Sequence, residues 1–524
     1  MRILLTVMLI AAPAVAATCE SLADVKLSGG RVQSVQIVAA GAFISPEAAD
    51  ALSPAVNYKT LPAFCRVQGV LEPSSDSHIA FELWLPVSGW NGRYEGLGNG
   101  GFAGAISYAG LASAVAQGYA ASDSDAGHKA GAVDARWALG HPEKVADFGY
   151  RAVHETAEKS KALIARFYGS PVSRAYFSSC SDGGREALME AQRFPADYDG
   201  ILAGAPAYDW TRLLANAAAE TQMLGRPENY IPPAKLPAIE AAALAACDAQ
   251  DGVKDGVIDD PSRCRFVASV LLCKGAESAS CLTAPQLAGL ERLYAGARDA
   301  SGKAIFPGRP PGAEGKRGMW DLWVTGQKPD TSLMHGFATQ YFANMVFENA
   351  AWDYHTFRLD RDLKVADDKT GRVLNATDPD LKRFRDRGGK LIIYHGWNDP
   401  AISALSSVSY FRNVQAQLGA KPTDAFLRLY LAPGMGHCAG GPGPDAFGQT
   451  LAQPGDAGHS VTKALERWVE SGTAPGPIIA TKYSNASNSM VVRSRPLCPY
   501  PQVAVYKGSG STDDAANFAC AQPK

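Results

Sequence analysis

Short runs of apolar residues predict β-strands at several places, and some of these runs lead directly into a helical pattern. Apolar and polar residues alternate over residues 79–85 and again over 93–95, as expected for strands with one buried face. The mainly apolar stretch 390–394 indicates a fully buried strand. The apolar segment 175–177 passes through a glycine-containing turn into a helical pattern that reaches Phe194. Strands that lead directly into helices are typical of the α/β class.

The middle of the chain has a different composition. After Trp210 the sequence consists of alanine-rich helical stretches with little strand alternation as far as Lys382. With 524 residues, of which 46% are hydrophobic, the chain can bury a large core and is long enough for more than one domain. We therefore expect one domain from residues 18–209 and 384–524, interrupted by an inserted domain at residues 210–383.

The turn at residues 180–184, Cys-Ser-Asp-Gly-Gly, is the first candidate for chemistry. A serine on a sharp turn between a strand and a helix is typical of the nucleophile elbow of α/β-hydrolases, whose pattern is G-x-S-x-G. Ser181 occupies the serine position and Gly183 the second glycine position, whereas Ser179 replaces the first glycine. Taken alone, the stretch is also compatible with an ordinary turn between a strand and a helix.

A second stretch, far downstream, supplies a candidate base. A predicted strand ends in a glycine-rich loop that contains His437 and Cys438, and the loop after strand 390–394 contains Asp399. The order serine, aspartate, histidine along the chain is that of the α/β-hydrolases. We interpret His395 as a residue beside the site, in the pocket wall or behind the triad, and not as the base.

A glycine-rich segment, Gly-Leu-Gly-Asn-Gly-Gly-Phe-Ala-Gly, directly follows the strand predicted at 93–95. In the hydrolase fold a loop at this place supplies a backbone amide to the oxyanion hole. A phosphate-binding loop is disfavoured, because no Lys-Ser/Thr pair follows and the dinucleotide spacing is missing. The polar residues Asp123, Asp125 and His128 lie nearby. Two aspartates are too few for a metal site, so we interpret these residues as part of a structural loop.

These stretches together resemble the tannase and feruloyl esterase family. The resemblance rests on the Cys-Ser, Asp and His-Cys arrangement, on GGRE and AQRFP after the serine, and on DYDGILAGAPA beyond them. It extends from Cys65 to the RPLCPYPQ and YKGSG stretches near the C-terminus. It implies an α/β-hydrolase core in which residues 210–383 form a lid domain. The implied triad is Ser181, Asp399 and His437, and the implied oxyanion-hole amides are those of Gly100 and Asp182, with Gly101 as an alternative to Gly100.

The N-terminus and the cysteines both indicate export. Residues 1–17 have a basic start, a short apolar core and Ala-Val-Ala before the expected cleavage point, as in a secretory signal peptide. Export to an oxidising compartment makes disulfides the expected state of ten cysteines, and no CxxC pair supports a metal site. We expect a secreted or periplasmic protein. The family resemblance implies the disulfides Cys19–Cys65, Cys180–Cys438, Cys247–Cys264, Cys273–Cys281 and Cys498–Cys520.

An aspartate-rich segment of tight turns lies between Cys247 and Cys264. Carboxylates and carbonyls at short spacing suit a hard cation, for which calcium is the natural candidate. The ligand spacing and the terminal glutamate of an EF-hand are missing. An acidic, solvated turn is the alternative. The resemblance implies a structural Ca²⁺ site in the lid, with the carboxylates or carbonyls of Asp248, Asp251, Val253, Asp255 and Val257 as ligands.

The overall charge excludes some classes of partner. The chain has 50 Lys and Arg against 52 Asp and Glu and contains no basic run, so we expect neither nucleic acid nor an anionic membrane surface as a partner. No stretch after the predicted signal peptide is long and apolar enough to span a bilayer. The sequence does not predict the oligomeric state.

The sequence thus predicts a serine carboxylic ester hydrolase whose partner is a small aromatic ester substrate. The resemblance favours feruloyl and other hydroxycinnamoyl esters. Gallate esters, a tannase activity, are the first alternative. Terephthalate monoesters are another, because the family includes mono(2-hydroxyethyl) terephthalate hydrolase. Aromatic residues are dense at 319–323 and 335–352, and some of them should face Ser181. No Lys or Arg lies between Lys328 and Arg358, so we expect neutral acyl groups to be preferred.

Two other functional classes are open at this point. A catalytically inactive hydrolase fold used for binding would require a replaced triad position, and all three residues are present. A calcium-dependent carbohydrate-binding protein would require the Asp248 segment to face sugar. Covalent labelling by a fluorophosphonate separates either class from an active serine esterase.

Overall fold

The computed structural model describes residues 18–46, 56–449, 455–484 and 490–523. The signal peptide predicted at residues 1–17 lies outside these ranges. Among the residues that the structure describes, no helix combines the length and the apolar character needed to cross a bilayer.

The described chain contains sixteen strands, ten of which belong to one large sheet. In chain order they are β1 (Lys26–Leu27), β2 (Gly30–Val38), β3 (Phe64–Leu71), β4 (Ile79–Pro86), β5 (Arg93–Leu97), β6 (Ala120–Ser124), β7 (Arg174–Cys180), β8 (Gly200–Gly204), β9 (Gly296–Arg298), β10 (Ala304–Pro307), β11 (Lys390–Gly396), β12 (Leu427–Ala432), β13 (Ile478–Tyr483), β14 (Val491–Leu497), β15 (Val503–Tyr506) and β16 (Phe518–Ala521).

The helices fall between these strands. In chain order the α-helices are α1 (Tyr108–Ala116), α2 (Pro142–Ala146), α3 (Ala152–Tyr168), α4 (Asp182–Arg193), α5 (Trp210–Leu224), α6 (Leu236–Cys247), α7 (Ala284–Ala295), α8 (Trp320–Trp323), α9 (Leu333–Tyr341), α10 (Leu359–Ala366), α11 (Arg372–Leu374), α12 (Lys382–Asp386), α13 (Ala404–Leu418), α14 (Ala420–Asp424) and α15 (Val461–Ser471).

The large sheet has the order β1-β2-β3-β4-β6-β5-β7-β8-β11-β12. Pairing is antiparallel from β1 to β4 and between β4 and β6, and parallel from β6 through to β12. The parallel strands end at the same edge, so the loops that follow β5, β7, β11 and β12 meet there. These are the loops on which the sequence places its candidate residues.

Helices cover both faces of the sheet, as expected for buried parallel strands. Leu163 of α3, Leu188 of α4 and Val408 of α13 belong to the hydrophobic cluster on one face. Leu111 of α1 and Trp468 of α15 belong to the cluster on the other. The five strands predicted from the sequence are present as β4, β5, β7, β11 and β12, and the predicted α/β architecture is confirmed.

The chain between β8 and β11 contains α5 to α12 and the β9–β10 hairpin. Part of this segment has a hydrophobic core of its own, which includes Ile231, Leu290 and Trp320. Another part, including Tyr341 and Phe342, joins the core of the large sheet. The insertion therefore rests on the sheet through shared apolar packing.

All ten cysteines are paired, in the five combinations named above. Two of the disulfides lie within the insertion. The Cys498–Cys520 disulfide lies in the C-terminal region, where it packs with Phe518 against Val253 of the insertion. The C-terminal hairpin thus contacts the segment in which calcium ligands are predicted.

Candidate active site

Ser181 lies at the sharp turn between β7 and α4. Its φ of 68° is in the left-handed region, which is uncommon for a residue with a side chain and is typical of the strained nucleophile elbow. Its backbone N–H donates to the carbonyl of Gly204 at 2.9 Å, and its own carbonyl accepts from the N–H of Ala207 at 3.1 Å. The neighbouring strand β8 and the loop after it therefore hold the turn in place.

The second glycine of the elbow is required by close packing. A Cβ atom at Gly183 would collide with the side chain of Ser179 and lie only 2.8 Å from the carbonyl oxygen of Asn99. Ser179 thus fills space in front of Gly183. This explains why the first glycine of the pattern can be replaced while the second is retained.

Ser181, His437 and Asp399 are brought together at the carboxyl edge of the sheet. The Nε2 atom of His437 lies 2.9 Å from Oγ of Ser181, and its Nδ1 lies 2.7 Å from Oδ2 of Asp399. Asp399 is buried, and its other oxygen accepts backbone hydrogen bonds from Ala401 and Ile402 at 2.8 and 2.9 Å. The arrangement matches that of a serine, a histidine base and an orienting carboxylate.

Asp399 is held in its ionised form. Burial alone would raise its pKa, but the charge of His437 and hydrogen bonds from His395 and His437 outweigh burial and lower the pKa below its ordinary value. His395 is fully buried, with Nε2 3.0 Å from the carbonyl oxygen of Ile402 and Nδ1 2.8 Å from Oγ of Ser407. A carbonyl can only accept, so Nε2 carries the proton and His395 donates towards Asp399. His395 lies behind Asp399 and does not contact Ser181 among the hydrogen bonds that the structure describes.

Three backbone amides near Ser181 are available to an incoming oxyanion. Within the described ranges, the N–H groups of Gly100, Gly101 and Asp182 have no hydrogen-bond acceptor. Asp182 is the first residue of α4, where helical geometry leaves the N–H group without a partner. Gly100 and Gly101 lie in the loop after β5, and a Cβ atom at Gly100 would meet no atom within 4 Å. If the amide of Asp182 is one donor to the oxyanion, the second donor is the amide of either Gly100 or Gly101.

The polar residues 123–128 stabilise the loop that carries these glycines. Asp123 accepts from the backbone N–H of Ser107 at 2.6 Å. The Nε2 atom of His128 lies 2.7 Å from the carbonyl oxygen of Phe102, and the imidazole stacks on Trp137. Burial lowers the pKa of His128 to about 4. A neutral His128 that donates to Phe102 fits a structural role.

An aromatic wall lies beside the histidine. The ring of Trp323 meets the ring of His437 edge to face, with 4.8 Å between centroids. Phe337 stacks on Trp323 at 6.4 Å and contacts Phe102 of the glycine-rich loop at 5.3 Å. Trp323 and Phe337 belong to the inserted segment, whereas His437 and Phe102 lie in loops of the large sheet and touch it. Of the aromatic stretches in the insertion, the structure therefore brings Trp323 and Phe337 close to the triad, while Tyr341 and Phe342 lie in the core.

The aspartates of the predicted cation segment are arranged by backbone hydrogen bonds. Asp248 is 5% exposed and accepts from the N–H groups of Asp255 and Gly256, at 3.1 and 3.0 Å. Asp251 accepts from Val253 at 2.8 Å, and Asp255 from Val257 at 3.1 Å. Val253 and Val257 are buried. The turns thus gather acidic side chains and buried carbonyl groups in one short segment.

The donor chemistry of this segment fits a hard cation. Burial, with a contribution from the charge of Asp255, raises the pKa of Asp251 to about 6, a repulsion that a cation would relieve. The carboxylate oxygens of Asp248, Asp251 and Asp255 do not all lie within 4.8 Å of one another. Ligation would therefore depend on carbonyl oxygens as well as carboxylates.

Two arginines near this segment are not apparent from the sequence. Nη2 of Arg495 lies 2.5 Å from Oδ2 of Asp255, and Nη1 of Arg493 lies 3.3 Å from the same oxygen. Both arginines come from β14, far along the chain. The two arginines offset part of the negative charge of the segment at Asp255. Because they lie far from Asp255 in sequence, no local spacing could have indicated these pairs.

Sequence reasoning also missed a buried polar cluster on α4. Arg185 donates to Asp182 at 2.6 Å and to the carbonyl groups of Gly149 and Phe148, at 2.6 and 3.0 Å. Glu186 is 1% exposed. A charged run at the start of a helix is ordinarily exposed, so only the tertiary structure reveals that these side chains lie beneath the elbow.

Comparisons with known proteins agree with the geometry of the site, because the similar proteins are esterases. The model of the family described as tannase and feruloyl esterase matches residues 65–521. An uncharacterised esterase of Xanthomonas campestris is 42% identical, over 96% of this chain and 91% of that protein. The mono(2-hydroxyethyl) terephthalate hydrolase of Piscinibacter sakaiensis is 34% identical, over 90% of this chain and 87% of that protein.

The solved structures include a close match to the whole fold. The crystal structure of feruloyl esterase B from Aspergillus oryzae superposes with a TM-score of 0.87 at 32% identity. The superposition covers 96% of this chain and 99% of that one. The match therefore includes both the large sheet and the segment inserted between β8 and β11, and the fold is that of an α/β-hydrolase. The chain belongs to the tannase and feruloyl esterase family.

Proposed function

We propose that this esterase is an exported serine carboxylic ester hydrolase of small aromatic acyl esters, with feruloyl and other hydroxycinnamoyl esters as its first substrates. The observation that carries the proposal is the continuous line of contacts from Ser181 Oγ through His437 to Asp399, at 2.9 and 2.7 Å. Gallate esters and terephthalate monoesters are alternatives within the same chemistry, and the relatives of this chain include a terephthalate monoesterase.

The triad residues divide the reaction between them. Ser181 attacks the ester carbonyl while Nε2 of His437 takes the hydroxyl proton and later gives it to the leaving alcohol. Asp399 keeps the proton of His437 on Nδ1 and stabilises the imidazolium that forms. The acyl group stays on Ser181 until water, activated by the same histidine, releases the acid.

The charge on the carbonyl oxygen requires donors that are already in place. The free amides of Asp182 and of Gly100, or of Gly101 in its stead, fill this role, and each donor of this kind contributes about 3 kcal/mol of transition-state stabilisation. The start of α4 adds the favourable field of a helix N-terminus.

The aromatic wall supports an aromatic acyl group. Trp323 and Phe337 are partly buried, Trp323 contacts His437 and Phe337 contacts Trp323, so a flat acyl ring can pack against them while its carbonyl faces Ser181. This assigns residues 210–383 the role of a lid that closes the acyl site.

We also propose that the lid binds a structural calcium ion. Asp248, Asp251 and Asp255, with the carbonyl groups of Val253 and Val257, would hold it. When bound, the ion neutralises buried carboxylates and ties the turns of residues 248–257 together. The segment is bracketed by the Cys247–Cys264 disulfide.

Five disulfides support a secreted or periplasmic location, since disulfides persist in oxidising compartments.

Replacing the nucleophile tests the proposed function. The Ser181→Ala variant should fold normally, fail to react with a fluorophosphonate and lose all but residual hydrolysis of methyl ferulate. Retention of more than about a hundredth of the wild-type rate would point to another nucleophile. A panel of methyl ferulate, methyl gallate and mono(2-hydroxyethyl) terephthalate then ranks the acyl groups.

A further inference from the structure

Asn99, the residue before the candidate oxyanion glycines, is held by α4 of the nucleophile elbow. Its backbone N–H donates to Oε2 of Glu186 at 2.9 Å. Its carbonyl accepts from the N–H of Gly183 at 2.7 Å. Both partners lie in the first two turns of α4, directly after Ser181. The loop after β5 is therefore attached to the same helix that presents the nucleophile.

These two contacts fix the direction of the next amide. A peptide group is planar and trans, so the N–H of Gly100 points opposite to the carbonyl of Asn99, which Gly183 holds. The peptide group before Asn99 is held by Glu186. With both of its flanking peptide planes held, Asn99 is fixed in conformation, and the N–H of Gly100 keeps its orientation.

The packing around Glu186 leaves little freedom for another arrangement. A Cβ atom at Gly98 would lie 2.5 Å from Oε2 of Glu186 and 2.7 Å from Phe177. The side chain of Asn99 is also anchored, with Nδ2 2.9 Å from the carbonyl oxygen of Ser124 and 3.1 Å from that of Ala105. The loop is thus anchored both to β6, through Ser124, and to α4, through Glu186.

Glu186 is an unusual residue to find at this place. It is 1% exposed, and none of the described ion pairs neutralises it with a Lys or Arg side chain. Burial, and then the charge of Asp182, raise the pKa of Glu186 above its ordinary value, so its neutral form is favoured. A buried carboxyl group costs free energy unless hydrogen bonds or a paired charge replace its contacts with water. Its one described hydrogen bond is the one to Asn99.

We propose that Glu186 is a positioning residue for ester hydrolysis, whose carboxyl group holds the Asn99 peptide so that the glycine amide of the oxyanion hole stays aligned with Ser181. The inference rests on the proposed function and deepens it. Glu186 does not contact the substrate. It acts through Asn99, so its loss should weaken the stabilisation of the oxyanion and leave binding of the ester in its ground state unchanged.

The test compares two buried glutamates on one helix. Glu190 lies one turn beyond Glu186, is also 1% exposed, and is joined to the loop after β5 by none of the described hydrogen bonds. Glu186→Met and Glu190→Met both remove a buried carboxyl group, and both change the melting temperature. Only Glu186→Met should lower kcat on methyl ferulate, by about tenfold or more, with KM within about twofold.

The conservative variant adds a second, independent outcome. Glu186→Gln keeps an oxygen that can accept from Asn99, so kcat should stay within about threefold of the wild-type value. Affinity for an aryl trifluoromethyl ketone, which forms a tetrahedral oxyanion on the serine, should fall in Glu186→Met in parallel with kcat.

Several results would overturn the inference. Equal kcat values in Glu186→Met and Glu190→Met, assayed below both melting temperatures, would leave Glu186 a purely structural residue. If Glu186→Met does not fold, a tenfold loss of kcat in Glu186→Gln alone would contradict the role as a hydrogen-bond acceptor. Full activity in Ser181→Ala would instead overturn the proposed function, so the two failures are distinguishable.

Discussion

His395 places its Nε2 atom 3.2 Å from Oδ2 of Asp399, the same oxygen that lies 2.7 Å from Nδ1 of His437. One carboxylate oxygen thus faces two imidazole rings. Only His437 reaches Ser181, so His395 serves to fix Asp399 from behind.

Loss of the contact between His395 and Asp399 should slow catalysis without abolishing it. A hydrogen bond to a charged group contributes about 1.5–3 kcal/mol, which corresponds to roughly 10- to 100-fold in rate if it is lost in the transition state. We expect His395→Leu to lower kcat in this range with KM nearly unchanged. Steady-state kinetics on methyl ferulate checks this.

A pair of neighbouring serines provides a milder version of the same experiment. Ser407→Ala removes the partner of His395 Nδ1, whereas Ser406, which is also buried, has no hydrogen-bond partner for its Oγ among the residues that the structure describes. Ser407→Ala should lower kcat, and Ser406→Ala should not. Equal kinetics in the two variants would show that the orientation of His395 is irrelevant to the reaction.

The Cys180–Cys438 disulfide should matter more for catalysis than the other four. Each cysteine is adjacent to a residue of the triad, and the bond holds their Cα atoms 6.0 Å apart. It also closes a loop of 258 residues, for which chain-entropy arguments give roughly 5 kcal/mol of stabilisation. Replacing both cysteines by serine should lower kcat even when the assay is run well below the melting temperature of the variant.

The Cys273–Cys281 disulfide in the lid is the matched control, because it closes a short loop distant in sequence from the triad. Its double serine variant should lose stability with little loss of kcat. Wild-type turnover in a folded Cys180→Ser/Cys438→Ser protein would assign that disulfide to stability alone.

Neutral phenolic acyl groups should be hydrolysed in preference to those with a free carboxylate on the ring. The residues between Lys328 and Arg358, which include Phe337, contain no Lys or Arg to pair with such a carboxylate. We expect a higher kcat/KM for methyl ferulate than for mono(2-hydroxyethyl) terephthalate. Comparable values for the two esters would contradict this expectation.

Removal of calcium should lower the melting temperature with little effect on kcat. Binding to the folded state alone stabilises a protein by mass action, and residues 248–257 lie apart from the triad in sequence. Metal analysis of the purified protein and melting curves with and without chelator measure this. Asp251→Asn should make the melting temperature insensitive to chelator, and an unchanged wild-type melting temperature in excess chelator would argue against the site.

Acid should destabilise the protein partly through His128. Its pKa of about 4 in the folded state is below the ordinary value of about 6.5, so between these values the unfolded chain binds more protons. The free energy of unfolding should therefore fall as the pH decreases from about 6.5 to about 4, by up to ~1.4 kcal/mol per pH unit. Urea unfolding at pH 7 and pH 4.5 measures this loss.

The variant His128→Gln should lose less stability over the same pH interval, because its amide can still donate to Phe102 without titrating. Identical losses in the wild type and His128→Gln would mean that other groups govern the loss of stability in acid.

The chemistry-bearing loops could be located from the sequence because each follows a buried strand. Alternation or continuous apolar character fixed β5, β7 and β11 to within a few residues, and Ser181 and Asp399 follow from those strand ends. The order of strands in the sheet was not accessible, since pairing such as that of β4 with β6 depends on residues far apart in the chain.

The burial of several charged side chains could not be predicted from the sequence. Arg185 and Glu186 have the appearance of solvated helix residues, and Arg495 opens the RPLCPYPQ stretch, which indicates the family but not the partner of this arginine. Each is buried because a distant segment covers it: Arg185 donates to Gly149 and Phe148, and Arg495 pairs with Asp255. A local pattern carries no information on such partners, so these residues could be assigned only from the structure.

The position of the insertion has a consequence for the order in which the protein is built. β8 and β11 are neighbours in the sheet, yet the entire inserted segment separates them along the chain. During synthesis eight of the ten strands of the sheet, β1 to β8, and the turn with Ser181 are made before Asp399 and His437. Parallel pairing of β11 with β8 must then close a very long loop, a slow step whose entropy cost precedes any gain from contacts. We therefore expect the nascent esterase to expose the edge of β8 for some time, and to become competent for catalysis only as the last two strands of the sheet are added.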